Sequence, residues 1–158
     1  MFTKLKFGIL LGAILLSTGL ARPFSSLSMN QIMSMVNADR VSQGLPRLDL
    51  DPTLNLAALA KADDMITNHY FAHTSPDGVA PWYWIKNVGY NYSYAGENLA
   101  LGFQDASDLM NSWMNSPDHR ANILSPNYQD MGLAVIQSSD STLVVQMFGS
   151  VNHLSLNK

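Results

Sequence analysis

No cysteine occurs anywhere in the 158 residues. That absence constrains the fold more than any motif, because it removes disulfides, thiol nucleophiles and cysteine-ligated metals together. Whatever this chain folds into is held by burial alone. The demand is severe for an exported protein, and the first residues read as an export signal. MFTKLKFGILLGAILLSTGLA puts Lys4 and Lys6 ahead of an uncharged, mainly apolar run from Phe7 to Leu20, then small residues. This is the three-part layout of a secretory signal peptide over residues 1–21, with Gly19 and Ala21 in the small positions that precede cleavage. The chain is expected to be secreted or periplasmic. Membrane attachment is expected only through an uncleaved signal segment, since the run is short against the about 20 residues of a spanning helix.

Residues 22–158 suffice for one domain with a real core and are too few for two ordinary ones. The whole chain carries a net charge of −3 at pH 7, and losing Lys4 and Lys6 makes it more acidic. No basic stripe is present, so the electrostatic footprint of nucleic-acid binding is missing.

Residues 22–28 read as a polar linker. MNQIMSMVNADRVSQG then places Met29, Ile32, Met33, Val36 and Val41 near helical spacing, with Ser28 as cap and Gly44 as stop. Asp51 and Pro52 read as the cap and first residue of a second helix. That helix buries Leu54, Ala57, Ala58 and Met65 and ends near His69 or Tyr70. Residues 71–104 read as a long loop region around one short aromatic helix, PWYWIKNVG. Asp105 caps a third helix presenting Leu109, Met110, Trp113 and Met114, and Ser116 with Pro117 starts a short fourth. MGLAVIQ and STLVVQMFG, either side of SSD, form a hairpin. The pattern predicts an α+β single domain over residues 29–151, helices first and a hairpin last, with a tail at 152–158.

The candidate chemistry rests on few residues. Of the four histidines, His153 lies in the tail and reads as solvated. His69 and His73 are four apart, which on a continuous helix gives two imidazoles on one face. The glutamate that follows the first histidine in zinc metalloproteases is absent here, where Tyr70 stands, and the helix is expected to end before His73. His119 follows a helix start and alone reads as an interface histidine. Glu97 is the only glutamate in the chain. No G-x-S-x-G elbow supports a serine hydrolase; Ser75, Ser116 and Ser125 each precede proline and suit turns and caps.

Taken together, HTSPDG, GENLA, SPDHRANIL, MGLAV and VVQMFG, in this order, resemble the CAP superfamily of cysteine-rich secretory, antigen 5 and pathogenesis-related proteins. The wording resembles its short cysteine-free bacterial members, and the resemblance runs from Met29 to Gly149. It implies a three-layer α-β-α sandwich with a central cleft holding two histidines and acidic residues, able to bind a divalent metal, zinc in several relatives. Carried over by position, the cleft residues are His73, Glu97 and His119.

Two imidazoles and a carboxylate are the ligand set of a catalytic zinc site with one open position. Without metal they form a charge-assisted hydrogen-bond network; ligation and that network compete, because ligation needs deprotonated imidazoles. The second acid that many relatives carry three residues after the tryptophan of the third helix is absent, since Trp113 is followed by Met114, Asn115 and Ser116. Asp118 sits beside a cap and reads as a helix-dipole residue. If Glu97 ligates, no general base remains; if it is the base, two ligands remain. The sequence therefore favours a ligand- or partner-binding module, its extracellular ligand a lipid, peptide, glycan or protein, over a metal-dependent hydrolase on the same residues. Two structural alternatives stand beside the site. Glu97 would be a buried acceptor for backbone amides, in a turn held by Asn98 and by glycines at unusual backbone angles. Trp82, Tyr83, Trp84, Tyr90, Tyr92 and Tyr94 would pack the loop region onto the helices rather than line a ligand cleft.

Overall fold

The computed structural model describes residues 27–138 and 141–151; the signal peptide at 1–21, most of the 22–28 linker and the tail at 152–158 lie outside them. The elements follow in the order α1 (Met29–Ser42), β1 (Asp49–Leu50), α2 (Pro52–Thr67), α3 (Trp82–Asn87), β2 (Tyr92–Leu101), α4 (Ala106–Asn115), α5 (Pro117–Ile123), β3 (Asp130–Gln137) and β4 (Thr142–Val151).

Local sequence sets most boundaries. Ser28 Oγ accepts from the Gln31 N–H while Gln31 Oε1 accepts from the Ser28 N–H, a reciprocal capping box that starts α1. Asp51 caps α2 by accepting from the Leu54 N–H at 2.8 Å, with Pro52 as first helical residue. Asp105 accepts from the N–H groups of Ser107 and Asp108 to start α4. Pro117 opens α5 as expected, although Ser116 makes no side-chain cap bond. The face of α1 differs from its periodicity. Val41 is exposed, and Arg40 is fully buried in its stead, because its guanidinium donates to the carbonyls of Pro46, Ile123, Ser125 and Tyr128.

Four strands form one sheet in the order β1-β3-β4-β2. β1 runs parallel to β3, while β3 with β4 and β4 with β2 are antiparallel. The hairpin is thus present. β2 corrects the loop reading of residues 92–101, which pair with β4 from Tyr92↔Val151 to Leu101↔Leu143. The segment hides its strand character because both its faces are covered, so Ala95 to Ala100 shows no polar–apolar alternation.

The central strand β4 divides the interior. Val144 and Phe148 join Ile32, Leu109, Trp113 and Met131 on the side of α1, α4 and α5. Leu143, Val145 and Met147 join Leu54, Met65, Ile85 and Tyr90 on the side of α2 and α3. The result is a three-layer α-β-α sandwich. Gly132 lets α2 lie on β3: a Cβ there would stand 2.1 Å from the Leu54 backbone carbon. Asn55 Oδ1 locks the contact by accepting from the Leu133 N–H at 2.7 Å. The loop aromatics split. Tyr90 is buried, whereas Tyr83 and Tyr94 are about half exposed.

Candidate functional site

β2 bonds only to β4 among the described strands, so it is an edge of the sheet. Side chains alternate along it, and at its middle they divide: Glu97 points to the α2 layer and Asn98 to the α5 layer. Helices and loops from both layers close over this edge, which lets residues from distant segments meet there.

On the α2 side, the last turn of the helix sets the geometry. α2 stops at Thr67, and His69 adopts the left-handed conformation at φ 53°. His69 and His73 therefore share no helical face. Beyond it, the chain is pinned by Lys61, which is fully buried on α2. Its ammonium donates to Tyr70 Oη and to the His73 carbonyl, each at 2.9 Å. Tyr70 in turn donates to Asp64 Oδ2 at 2.5 Å. Held this way, His73 brings Nδ1 to 2.6 Å from Glu97 Oε1. The His73 side chain is 56% exposed and that of Glu97 only 1%. Imidazole is the face of the site and the carboxylate its floor.

Burial pushes the Glu97 carboxyl above the usual carboxylate range, opposed by the His73 hydrogen bond and by the positive charges of Lys61 and His73. Its second oxygen, Oε2, is buried and has no hydrogen-bond partner among the described residues. The reading of Glu97 as an acceptor for backbone amides is thus replaced: its bonded oxygen faces an imidazole. Gly96 is likewise needed for space and not for a rare backbone angle. A Cβ on it would sit 2.4 Å from the Tyr128 hydroxyl, which donates to the Ala95 carbonyl at 3.1 Å.

On the α5 side, Asn98 holds no turn. Its amide donates to the His119 carbonyl and to Gln146 Oε1, each at 3.2 Å, and its oxygen accepts from Asn122 Nδ2 at 2.9 Å. Asn122 also donates to the Glu97 carbonyl at 3.0 Å. These bonds fix α5 against β2 and place His119, half-buried, with its ring 6.2 Å from that of Trp113. Burial and then the charge of His73 push the His119 pKa down, with Asp118 opposing. Asp118 lies in the first turn of α5, as a helix-dipole residue would.

The three residues expected to form the site therefore meet unequally. His73 and Glu97 are in direct contact, whereas His119 is related to them only by the effect of the His73 charge on its pKa. No group of three or more His, Cys, Asp or Glu is arranged to hold a metal ion among the described residues. The donors do suit a smaller arrangement, an exposed imidazole bonded from behind by a carboxylate that orients its ring, with a second, half-buried imidazole on α5. Lys61, Tyr70 and Asn122 were not anticipated. Lys61 was legible, standing on the buried stripe of Leu54, Ala57, Ala58, Ala62 and Met65, where a lysine is rare unless its charge is answered.

The sequence model of the cysteine-rich secretory protein (CAP) family matches residues 33–148. The chain belongs to the CAP family. YkwD, an uncharacterized protein of Bacillus subtilis (strain 168), is 40% identical over 108 residues, which are 68% of this chain and 42% of YkwD. The uncharacterized membrane protein YlbC of the same organism is 29% identical over 114 residues, 72% of this chain and 33% of YlbC. The chain thus spans less than half the length of these CAP relatives. Among solved structures, an extracellular SCP-domain protein from Bacillus anthracis str. Ames superposes with a TM-score of 0.67 at 30% identity, covering 77% of this chain and 39% of that one. An outer surface protein from Borrelia burgdorferi superposes at 0.73 with 24% identity, over 78% of this chain and 92% of that one, which shows the shared CAP fold.

Proposed function

We propose that this CAP domain is an exported binding module whose ligand meets His73 and His119 over the edge of β2. The observation that carries this is the 2.6 Å bond between His73 Nδ1 and the buried Glu97. A carboxylate placed behind an imidazole fixes its tautomer and orientation and leaves the other ring nitrogen for a ligand. A divalent cation such as zinc fits that chemistry, held by His73 and His119 with Glu97 behind; when bound it would supply positive charge to an incoming anionic or carbonyl group. Export rests on the layout of residues 1–21 and on similarity to the extracellular Bacillus anthracis protein. No helix among the described residues is long and apolar enough to cross a membrane.

Binding is favoured over hydrolysis by the placement of the Glu97 carboxylate. Glu97 gives Oε1 to His73, and its Oε2 is buried away from bulk solvent, so neither oxygen is open to activate a water. The test is a zinc titration by calorimetry on residues 22–158, alongside His73→Ala, Glu97→Ala and His119→Ala. One-to-one binding abolished by either histidine change and weakened about 10- to 100-fold by Glu97→Ala, the usual cost of losing an outer-shell partner, is expected. Equal loss in all three would make Glu97 a ligand. No binding by the folded wild type would leave the trio a polar network without metal.

A further inference from the structure

A second feature lies away from the histidines, at the end of the sheet where β3 turns into β4. A cavity of about 430 Å³ opens there, lined by Ile66, Tyr70, Phe71, Leu101, Ile136 and Leu143 among others. No Asp, Glu, Lys or Arg lines it among the described residues. Its rim is apolar and open to solvent: Ile66 is 48% exposed, Phe71 46% and Leu101 50%. Three large side chains clustered at one mouth make an interaction surface, unlike apolar residues scattered singly.

The path of the chain brings its N-terminal segment to this end of the sheet, on the opposite face, where Leu27 packs in the α1 layer. Gln137 Nε2 donates to the Leu27 carbonyl at 3.1 Å, so the first described residue is tied to the last residue of β3, at this same end of the sheet. Residues 21–26 separate Leu27 from Leu20, the end of the N-terminal apolar run, and six residues reach at most about 21 Å when extended. The apolar run from Phe7 to Leu20 therefore joins the domain at the end that bears the exposed Ile66, Phe71 and Leu101. That run is short for a spanning helix of about 20 residues, and a weak anchor becomes stable when a second apolar contact with the bilayer adds to it.

We propose that, in chains keeping their N-terminal segment, the end of the domain bearing Ile66, Phe71 and Leu101 docks on the lipid surface that holds that segment. This rests on retention of residues 1–21 and not on the His73–Glu97 site, which lies nearer the middle of β2. The absence of cysteine gives a clean test on the full chain. Leu101→Cys and Gln43→Cys, the latter at the far end of α1, are each labelled with a polarity-sensitive fluorophore and mixed with phosphatidylcholine vesicles. Flotation with the vesicles, a blue shift at position 101 quenched by lipid-borne nitroxide, and no change at position 43 are expected. Phe71→Asp should reduce the quenching at 101 without unfolding the domain. Failure to float, or equal responses at positions 101 and 43, overturns the proposal.

Discussion

Glu97 and Asn98 are neighbours on one strand, both hidden from solvent, and their surroundings are opposite in kind. On the α1/α4/α5 side the buried polar side chains are bonded: Asn98 reaches His119, Gln146 and Asn122, and Arg40 caps the carbonyls of Pro46, Ile123, Ser125 and Tyr128. On the α2/α3 side Lys61, Tyr70 and Asp64 answer one another, but Glu97 Oε2 is left over and His73 projects outward. A satisfied buried network specifies the fold. A buried carboxylate with one unbonded oxygen behind an exposed imidazole costs stability, and that cost is the physical ground for the site proposed above.

The contrast breaks first at Arg40. If the α1 side is structural, Arg40→Met should destabilise the domain by on the order of 4 kcal/mol, because several buried carbonyls lose their donor together. Denaturant unfolding measures it, and zinc affinity of the remaining folded protein should be unchanged. Next come the neighbours. Asn98→Ala should cost about 2–3 kcal/mol by leaving the Asn122 amide and the His119 carbonyl short of partners. Glu97→Gln should change stability by less than about 1 kcal/mol, since it removes a buried charge while keeping a hydrogen bond to His73. The same change should weaken ligand binding. Equal stability losses for the two would erase the distinction between the two sides of the sheet.

Lys61→Met sharpens the comparison from within the site. Losing the bonds to Tyr70 and the His73 carbonyl should cost about 2 kcal/mol. The pKa of Glu97 should also rise further, because the Lys61 charge holds it down. Carboxyl carbon NMR reads that shift directly. A merely structural lysine would change stability and leave the titration where it was.

What could be read in advance follows the range of the forces. Ser28, Asp51 and Asp105 act on amides two or three residues away, so the helix starts were legible from neighbours alone. The hairpin strands are two apolar runs either side of SSD, a spacing and composition that mark a turn between neighbours. β2 was not legible, because its partner β4 lies some 50 residues further on and both its faces are covered by helices that sequence spacing does not locate. For the site, His73, Glu97 and His119 were named from motif wording, yet their relative placement depends on Lys61 and Asn98. Those two residues bond across long sequence separations. The inward turn of Arg40 in place of Val41 escaped for the same reason: its acceptors come from residues 46 to 128.

The smallest effect tests whether the two sides communicate at all. His119 belongs by its backbone to the satisfied network, and its ring is expected to feel the His73 charge across the strand. In metal-free protein its pKa should lie below 6.5, and His73→Ala should raise it part of the way back, since burial is the larger cause and the His73 charge the second. Because the folded pKa is depressed, the unfolded chain binds the extra proton first as pH falls. The stability that His119 contributes is then complete above about 6.5 and is lost as pH drops through its folded value. Glu97, with its pKa raised, acts in the opposite sense: its contribution is complete below about 4.5 and is lost as pH rises through its folded value. Proton NMR of the His119 ring follows the coupling without relying on unfolding. A pKa that does not move in His73→Ala would separate the imidazoles and leave His73–Glu97 as a site of its own.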